Sequence, residues 1–380
     1  MGAQDVNAEL IGRAGSRYQL ATPALVIDLD VFERNIARMA EFARERGIAL
    51  RPHAKTHKSA EIARRQIAAG ALGVCTAKLG EAEALAGAGI DSILVTSPVV
   101  TDRGIQRLMQ LNGRIGELMA VCDNSVIAAK LADAAAAQNK KLKLLVDIDP
   151  GMGRTGLRPG DEAADLVRAV AQNPAFEFNG LQCYAGNLQH LESGNERREK
   201  SLGALAELKE FSRQLRQDGI FPEILTGGGT GTFDIDPDAH ILTELQVGSY
   251  IFMDRQYNEV WEKSGSAPPF ETALFVQTTV VSANRDGLAT TDAGFKAFAT
   301  DAGTPQIISG APPGASYFFF GDEQGGVLYS SDERRLAPGD VVTCAVPHCD
   351  PTVNLYDSYH LVRGERLETI WPIEARGRSA

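Results

Sequence analysis

No stretch of this chain is apolar and uncharged for long enough to cross a bilayer as a helix, so a membrane-spanning role is set aside. Positive charge is in deficit as well. Lys and Arg number 38 against 49 Asp and Glu, a formal net charge of −11, and neither nucleic acid nor an anionic membrane surface is expected as a partner. Cysteine is sparse: Cys75, Cys122, Cys183, Cys344 and Cys349 make an odd, scattered five with no CxxC spacing. That pattern argues against a disulfide framework and suits reduced thiols in a cytoplasm. The N-terminus is polar, with Asp5 and Glu9, and reads as no signal peptide. Gly2 follows Met1, but Val6 stands where a myristoylation signal needs Ser or Thr. Internal repeats and low-complexity segments are missing too.

What is present is a soluble-protein composition, 44% hydrophobic and 23% charged over 380 residues, long enough for two domains. Residues 1–19 read as a loosely held arm. A strand is expected at 24–29 and an amphipathic helix over 31–45, where Phe32, Ile36, Met39, Ala40 and Ala43 share a face and Gly47 ends the pattern. Apolar strand segments then recur at 48–53, 73–77, 92–97, 116–121, 142–149, 178–184, 222–227 and 244–251. Helical patterns fill the gaps at 59–69, 79–87, 102–111, 124–138, 161–172 and 195–217; the gap after 227 has room for little more than a turn. This alternation predicts an α/β fold with parallel strands, and eight of them suggest a closed (β/α)8 TIM-type barrel over 20–264. An open doubly wound sheet is compatible with the same count. From 265 to 380 the pattern changes to short β segments (275–281, 316–320, 326–330, 340–346, 367–372), which predicts a C-terminal all-β domain.

Five segments carry candidate chemistry. The run Arg51-Pro52-His53-Ala54-Lys55-Thr56-His57-Lys58 places Lys55 at the end of an early barrel strand, where an amine can hold an aldehyde cofactor as a Schiff base. Such an amine must lose its proton, and the two imidazoles with the cations of Arg51 and Lys58 are expected to depress its pKa; alone, the run also suits a solvated basic loop. Thr226-Gly227-Gly228-Gly229-Thr230-Gly231 follows the seventh strand and suits either a phosphate cradle or a flexible turn. It matches neither a P-loop nor an early dinucleotide fingerprint. Arg154, in the glycine loop Asp149–Gly156, is placed to bind a phenolate or carboxylate oxygen, and His190, after the sixth strand, to act as a base. His348 and Asp350 are two apart. In an extended segment they share a face and suit Mn²⁺ or Mg²⁺; a turned backbone that brings in Cys349 favours Zn²⁺ instead.

Together these runs (RPHAKTHKS at 51–59, DPGMGRTG at 149–156, TGGGTG at 226–231, TELQVGSYIFMD at 243–254 and PHCDPTVNLYD at 347–357) resemble the D-threonine aldolase family. That family lies within the fold-type III group of pyridoxal phosphate (PLP) enzymes, which also contains alanine racemase and D-serine dehydratase. The resemblance runs from about residue 20 to 376. It implies an alanine-racemase-like barrel plus β domain, with the strand at 24–29 free to join the β domain, and a homodimer. It implies that Lys55 is the Schiff-base lysine and that Arg154 bonds the cofactor's phenolic oxygen. Tyr184 flanks the ring, and Gln246 stands opposite the pyridine nitrogen. Thr226, Gly227, Gly228, Gly229, Thr230, Gly231, Gly248 and Ser249 fall around the phosphate. His348 and Asp350 match divalent-metal ligands, and His190 a histidine near that metal, the catalytic base or its water partner. The implied reaction is retro-aldol cleavage of a small D-β-hydroxy-α-amino acid, of D-threonine or D-3-hydroxyaspartate type, to glycine and an aldehyde. The alternatives on this scaffold are a metal-dependent D-serine or D-hydroxyaspartate dehydratase and, more remotely, a non-catalytic PLP-binding protein. Two departures bear on the substrate: Cys75-Thr76-Ala77-Lys78 where related aldolases tend to have Cys-Cys-Gln-Lys, and Asp322-Glu323-Gln324 where they tend to have Asp-Glu-His. Arg51, Arg255 and Lys78 are each candidates to pair a substrate carboxylate.

Overall fold

The computed structural model describes residues 5–330 and 335–380. They divide into two compact units, one of the described residues up to Ala37 with Ser249–Arg376, the other of Arg38–Gly248 with Gly377–Ala380.

The second unit is the barrel. Its strands are Ala49–Leu50, Val74–Thr76, Ser92–Val95, Glu117–Cys122, Leu142–Asp147, Phe176–Cys183, Ile224–Gly227 and Glu244–Leu245. From the second to the eighth each pairs in parallel with the next, and the eighth pairs in parallel with the first. The first and second are joined by a parallel bridge, His53 to Cys75, with Cys75 N donating to Pro52 O and Ala54 N to Cys75 O, each at 2.8 Å. The ring is thus joined all round, and the open doubly wound alternative is set aside. Period-two alternation builds two layers. Ile93, Val95, Leu118, Ala120, Leu144 and Val146 belong to the large cluster packed under the helices, whereas Leu94, Met119, Val121 and Leu145 form a separate small cluster with Cys75. Helices start where the sequence offers caps. Thr101 Oγ1 accepts from Gly104 N ahead of Asp102–Asn112, and Asn124 accepts from Val126 N and Ile127 N ahead of Ser125–Ala137. No helix among the described residues is long and apolar enough to cross a membrane.

A polar network crosses the barrel strands. Arg51 Nε donates to Glu244 Oε1 at 3.0 Å, and Arg51 Nη1 to Ser92 Oγ at 2.9 Å. Ser92 Oγ donates to Glu117 Oε2 at 2.6 Å, and Lys143 Nζ to Glu117 Oε1 at 2.8 Å. Burial raises the Glu117 carboxyl, but the hydrogen bonds from Lys143 and Ser92 and the charges of Arg51 and Lys143 outweigh it and hold its pKa below the usual value. The network links the first, third, fourth, fifth and eighth strands.

In the other unit Ala24–Asp28 pairs antiparallel with Leu274–Arg285 and parallel with Ser358–Arg363, so the early strand does join the β-rich sheet. Strands Leu288–Thr291, Gln306–Ser309 and Ser358–Arg363 and helix Arg255–Lys263 add to the segments expected from sequence. The arm differs from the expectation: its described part is not loosely held. Gly12 N donates to Leu367 O at 2.8 Å, Leu367 N to Ser16 Oγ at 2.8 Å, and Asn7 bonds His360 and Ala21, while Leu10 and Leu20 pack with Val26, Val362 and Leu367. Residues 1–4 of that arm lie outside the described residues.

Arg51 and Glu244 are 3% and 2% exposed, so removing one charge leaves the other buried and uncompensated. Glu244→Gln is expected to lower the unfolding free energy by about 3–5 kcal/mol in urea denaturation. The same change at the exposed Glu210, paired with Arg213 on a helix surface, should leave the midpoint in place.

Candidate active site

Lys55 sits in the turn after the first barrel strand. His53 N donates to Val247 O at 2.9 Å, and Lys58 N returns to Ala54 O at 2.7 Å with Lys58 in the left-handed region at φ 53°. Arg154 is set by an Asp-capped loop: Asp149 Oδ1 accepts from the backbone N–H groups of Gly151, Met152 and Gly153 at 2.9, 2.8 and 3.1 Å. Its guanidinium carbon lies 5.3 Å from the centre of the Tyr184 ring, a cation–π contact. Lys55, Arg154, Tyr184 and Gln246 line one cavity of about 240 Å³, with His53 and Gln182 also in its wall. They reach it from the ends of the first, fifth, sixth and eighth strands, the end of a parallel barrel where side chains converge.

The glycine run enters differently. Thr226 and Gly227 bond to Gln246, through Gln246 Nε2 to Thr226 Oγ1 at 3.0 Å and Gln246 N to Gly227 O at 2.8 Å. Gly228 has φ 70°, and a Cβ on Gly231 would stand 2.1 Å from Gln189 O, so these glycines serve close backbone packing as well as any anion. Gln189 holds the run: its Oε1 accepts from Gly231 N at 2.9 Å, and its Nε2 donates to Thr232 Oγ1 at 3.1 Å. Behind it, buried Asp236 accepts from Thr232 Oγ1 at 2.6 Å and from Ser201 Oγ. Gln182, Gln189, Asp147 and Asp236 were missed by sequence reasoning; each is a polar residue fixed among apolar neighbours. His190 follows Gln189 and is not among the residues lining the cavity.

Two expectations are corrected. Arg51 and Lys58 were expected to depress Lys55, but both charges are compensated: Arg51 by Glu244, and Lys58 Nζ by Glu81 Oε1 at 2.7 Å, both buried. His348 and Asp350 do not lie on one face of an extended segment. His348 occupies the N-cap position of the short helix Cys349–Val353 without a side-chain capping bond, so Asp350 stands in its first turn. His348 Nδ1 is bonded to Asp301 Oδ2 at 2.6 Å, a partner the sequence did not indicate. Cys349 is buried, which pushes its thiol pKa well up and disfavours a thiolate ligand. Among the described residues no three or more His, Cys, Asp or Glu side chains are grouped to hold a metal ion. Of the candidates for a substrate carboxylate, Arg51 is committed to Glu244 and Arg255 to Glu259 and Thr304 O, while exposed Lys78 adjoins Ala77 of the cavity wall.

Known proteins resemble this chain over most of its length. The family description "Alanine racemase, N-terminal domain" matches residues 27–256, and "Putative serine dehydratase domain" matches residues 273–362. The chain is 38% identical over 373 residues to the 3-hydroxy-D-aspartate aldolase of Paracoccus denitrificans (strain Pd 1222), covering 95% of this chain and 93% of that protein. It is 38% identical over 364 residues to the D-threonine aldolase of an Arthrobacter species, covering 94% and 93%. This chain belongs to the D-threonine aldolase family. The crystal structure of D-threonine aldolase from Filomicrobium marinum superposes with a TM-score of 0.90 at 37% identity, covering 96% of this chain and 97% of that one. Relatives named as D-threo-3-hydroxyaspartate and D-serine dehydratases are more distant.

PLP is expected of this family, and the cavity fits it. It offers an amine, a guanidinium, an aromatic ring and an amide. Beside Lys55, the buried Thr56 Oγ1 has no hydrogen-bond partner and lies 2.6 Å from where a Cβ on Gly248 would stand. A side chain at 248 would press on that hydroxyl, which glycine spares, and a ligand oxygen reaching it would satisfy it.

Burial raises the Asp236 carboxyl to about 7 against the lowering effect of its two hydroxyl donors. Between pH ~4 and ~7 the folded state therefore keeps a proton that the unfolded carboxyl has lost. This contribution is complete below pH ~4 and lost as pH rises through about 7. Melting temperature against pH checks the sign: the wild type should lose stability relative to Asp236→Asn as pH rises through this window.

Proposed function

We propose that the protein is a PLP-dependent lyase that cleaves D-β-hydroxy-α-amino acids, of D-threonine or D-3-hydroxyaspartate type, to glycine and an aldehyde. The observation that carries the reading is the convergence of Lys55, Arg154, Tyr184 and Gln246 on one cavity. When bound, PLP supplies an electron sink for the charge that cleavage leaves on the α-carbon. In this reading Lys55 Nζ would hold the cofactor's aldehyde carbon, Arg154 its phenolic oxygen, and Tyr184 would lie against the ring. Thr226, Gly227, Gly228, Gly229, Thr230, Gly231, Gly248 and Ser249 would surround the phosphate, with the Gly231 N–H itself held by Gln189 Oε1. His190, directly or through a water, would take the proton of the β-hydroxyl. The Cα–Cβ bond then breaks as the Cβ–oxygen bond becomes a carbonyl, the electron pair stays on Cα, and a proton delivered to Cα completes glycine.

A divalent ion, Mn²⁺ or Mg²⁺ with Zn²⁺ as the alternative, is assigned to His348 and Asp350, with water in the remaining positions. The Asp301 carboxylate on His348 Nδ1 supports this, since a second partner of that kind orients an imidazole to bind metal through Nε2. Such an ion supplies Lewis acidity that makes a β-hydroxyl proton easier to lose. Five buried free cysteines support a cytoplasmic setting. The match of residues 273–362 to a dehydratase description favours ammonia loss as the second reading.

The test is product analysis with D-threonine and D-3-hydroxyaspartate, with Mn²⁺ or after chelation. Metal-dependent glycine plus aldehyde is expected; ammonia plus a keto acid would establish the dehydratase reading instead. Asp301→Asn should weaken Mn²⁺ binding about 10–100-fold in a metal titration, and unchanged binding would remove Asp301 from the site.

A further inference from the structure

Gln246 lines the Lys55 cavity, and two buried residues bear on which end of its amide faces in: Gln182, in the same wall, and Asp147, bonded to Gln182. Asp147, at the end of the fifth strand, and Gln182, on the sixth, are 3% and 1% exposed. Gln182 Nε2 donates to the Thr96 carbonyl at 3.0 Å and to Asp147 Oδ1 at 2.8 Å. Asp147 Oδ2 accepts from Thr155 Oγ1 at 2.7 Å. Turning the Gln182 amide over would set its oxygen against two acceptor oxygens with no proton between them. Gln182 therefore offers Oε1 to Gln246, whose Nε2 donates to it at 3.2 Å and to Thr226 Oγ1 at 3.0 Å. With both amide hydrogens so used, the end of Gln246 left for the cavity is its carbonyl oxygen.

We propose that Asp147 and Gln182 are positioning residues that lock the Gln246 amide with Oε1 toward the cavity, so that a bound pyridine ring meets an acceptor and keeps its nitrogen protonated. The inference rests on the reading in which PLP occupies this cavity with its ring nitrogen toward Gln246. A nitrogen lone pair facing the amide oxygen is repelled, whereas an N–H there makes a hydrogen bond. An amide taken alone can donate or accept and would leave the nitrogen undecided; the relay removes that freedom without placing a negative charge beside the ring. Burial raises Asp147 to about 6, against the pull of the Gln182 and Thr155 hydrogen bonds, so at neutral pH both its oxygens remain acceptors.

The experiment loads the enzyme with PLP carrying ¹⁵N in the ring and reads the nitrogen chemical shift at neutral pH. The wild-type signal is expected at the protonated position, coinciding with that of Gln246→Glu, whose carboxylate enforces the proton. Gln182→Leu should move it toward the unprotonated position. Asp147→Asn should leave it in place, because Asn Oδ1 still accepts from Gln182 while its Nδ2 turns to Thr155 Oγ1. Should Gln182→Leu not fold, Gln246→Leu serves in its stead and should shift the signal in the same direction. An unprotonated wild-type nitrogen, or a Gln182→Leu signal at the wild-type position, overturns this inference alone. Failure to bind PLP, seen as no absorbance band that Lys55→Ala removes, overturns both the functional reading and the inference.

Discussion

The buried pair of Arg51 and Glu244 is the constraint on which the barrel depends. Arg51 follows the short first strand directly and Glu244 opens the eighth, so the pair fastens the two strands that a barrel must bring together last in sequence. An unpaired ion in that interior would be costly, and the pair tolerates burial because Arg51 also reaches Ser92, which with Lys143 holds Glu117. Lys55 lies four residues beyond Arg51, on a turn whose preceding backbone is bonded to Val247. Fastening the first strand to the eighth therefore also fixes the lysine relative to Gln246, its neighbour in the cavity wall.

Around that cavity, polar residues are placed by other buried polar residues. Asp149 orders the loop that carries Arg154, Gln189 orders the glycine run, and Asp236 stands behind Gln189's partner Thr232. Each is a short chain of charge-assisted or amide hydrogen bonds in a region where an unmet donor or acceptor is penalised. The consequence is a site whose groups have little freedom before a ligand arrives, which lowers the cost of ordering them on binding.

Much of this was legible in the sequence, for identifiable reasons. The barrel strands are apolar runs alternating with capped amphipathic helices, so their number and order could be read, and Lys55, Arg154, Tyr184 and Gln246 all follow such runs or close them. What was not legible depends on partners far away in the chain. Glu244 is 193 residues from Arg51 and Glu81 is 23 from Lys58, so the basic run looked like free positive charge when it is compensated. Asp301 lies 47 residues from His348 in a segment with no pattern of its own. Other signals were present and overlooked. Asp254 followed by Tyr257, Val260 and Trp261 is a capped helix face, and Asp286-Gly287 joins two strands in a tight hairpin with Gly287 at φ 71°. Asp147 and Gln182 interrupt apolar strands near their ends, a pattern that marks residues turned into the barrel mouth.

The central claim is that chemistry in this protein is anchored at Lys55. It is tested most directly by loading the protein with PLP, reducing with borohydride, and mapping the modified peptide by mass spectrometry. The account expects a single pyridoxyl group, on the peptide containing Lys55. A modification on another lysine, or none despite bound cofactor, would contradict it.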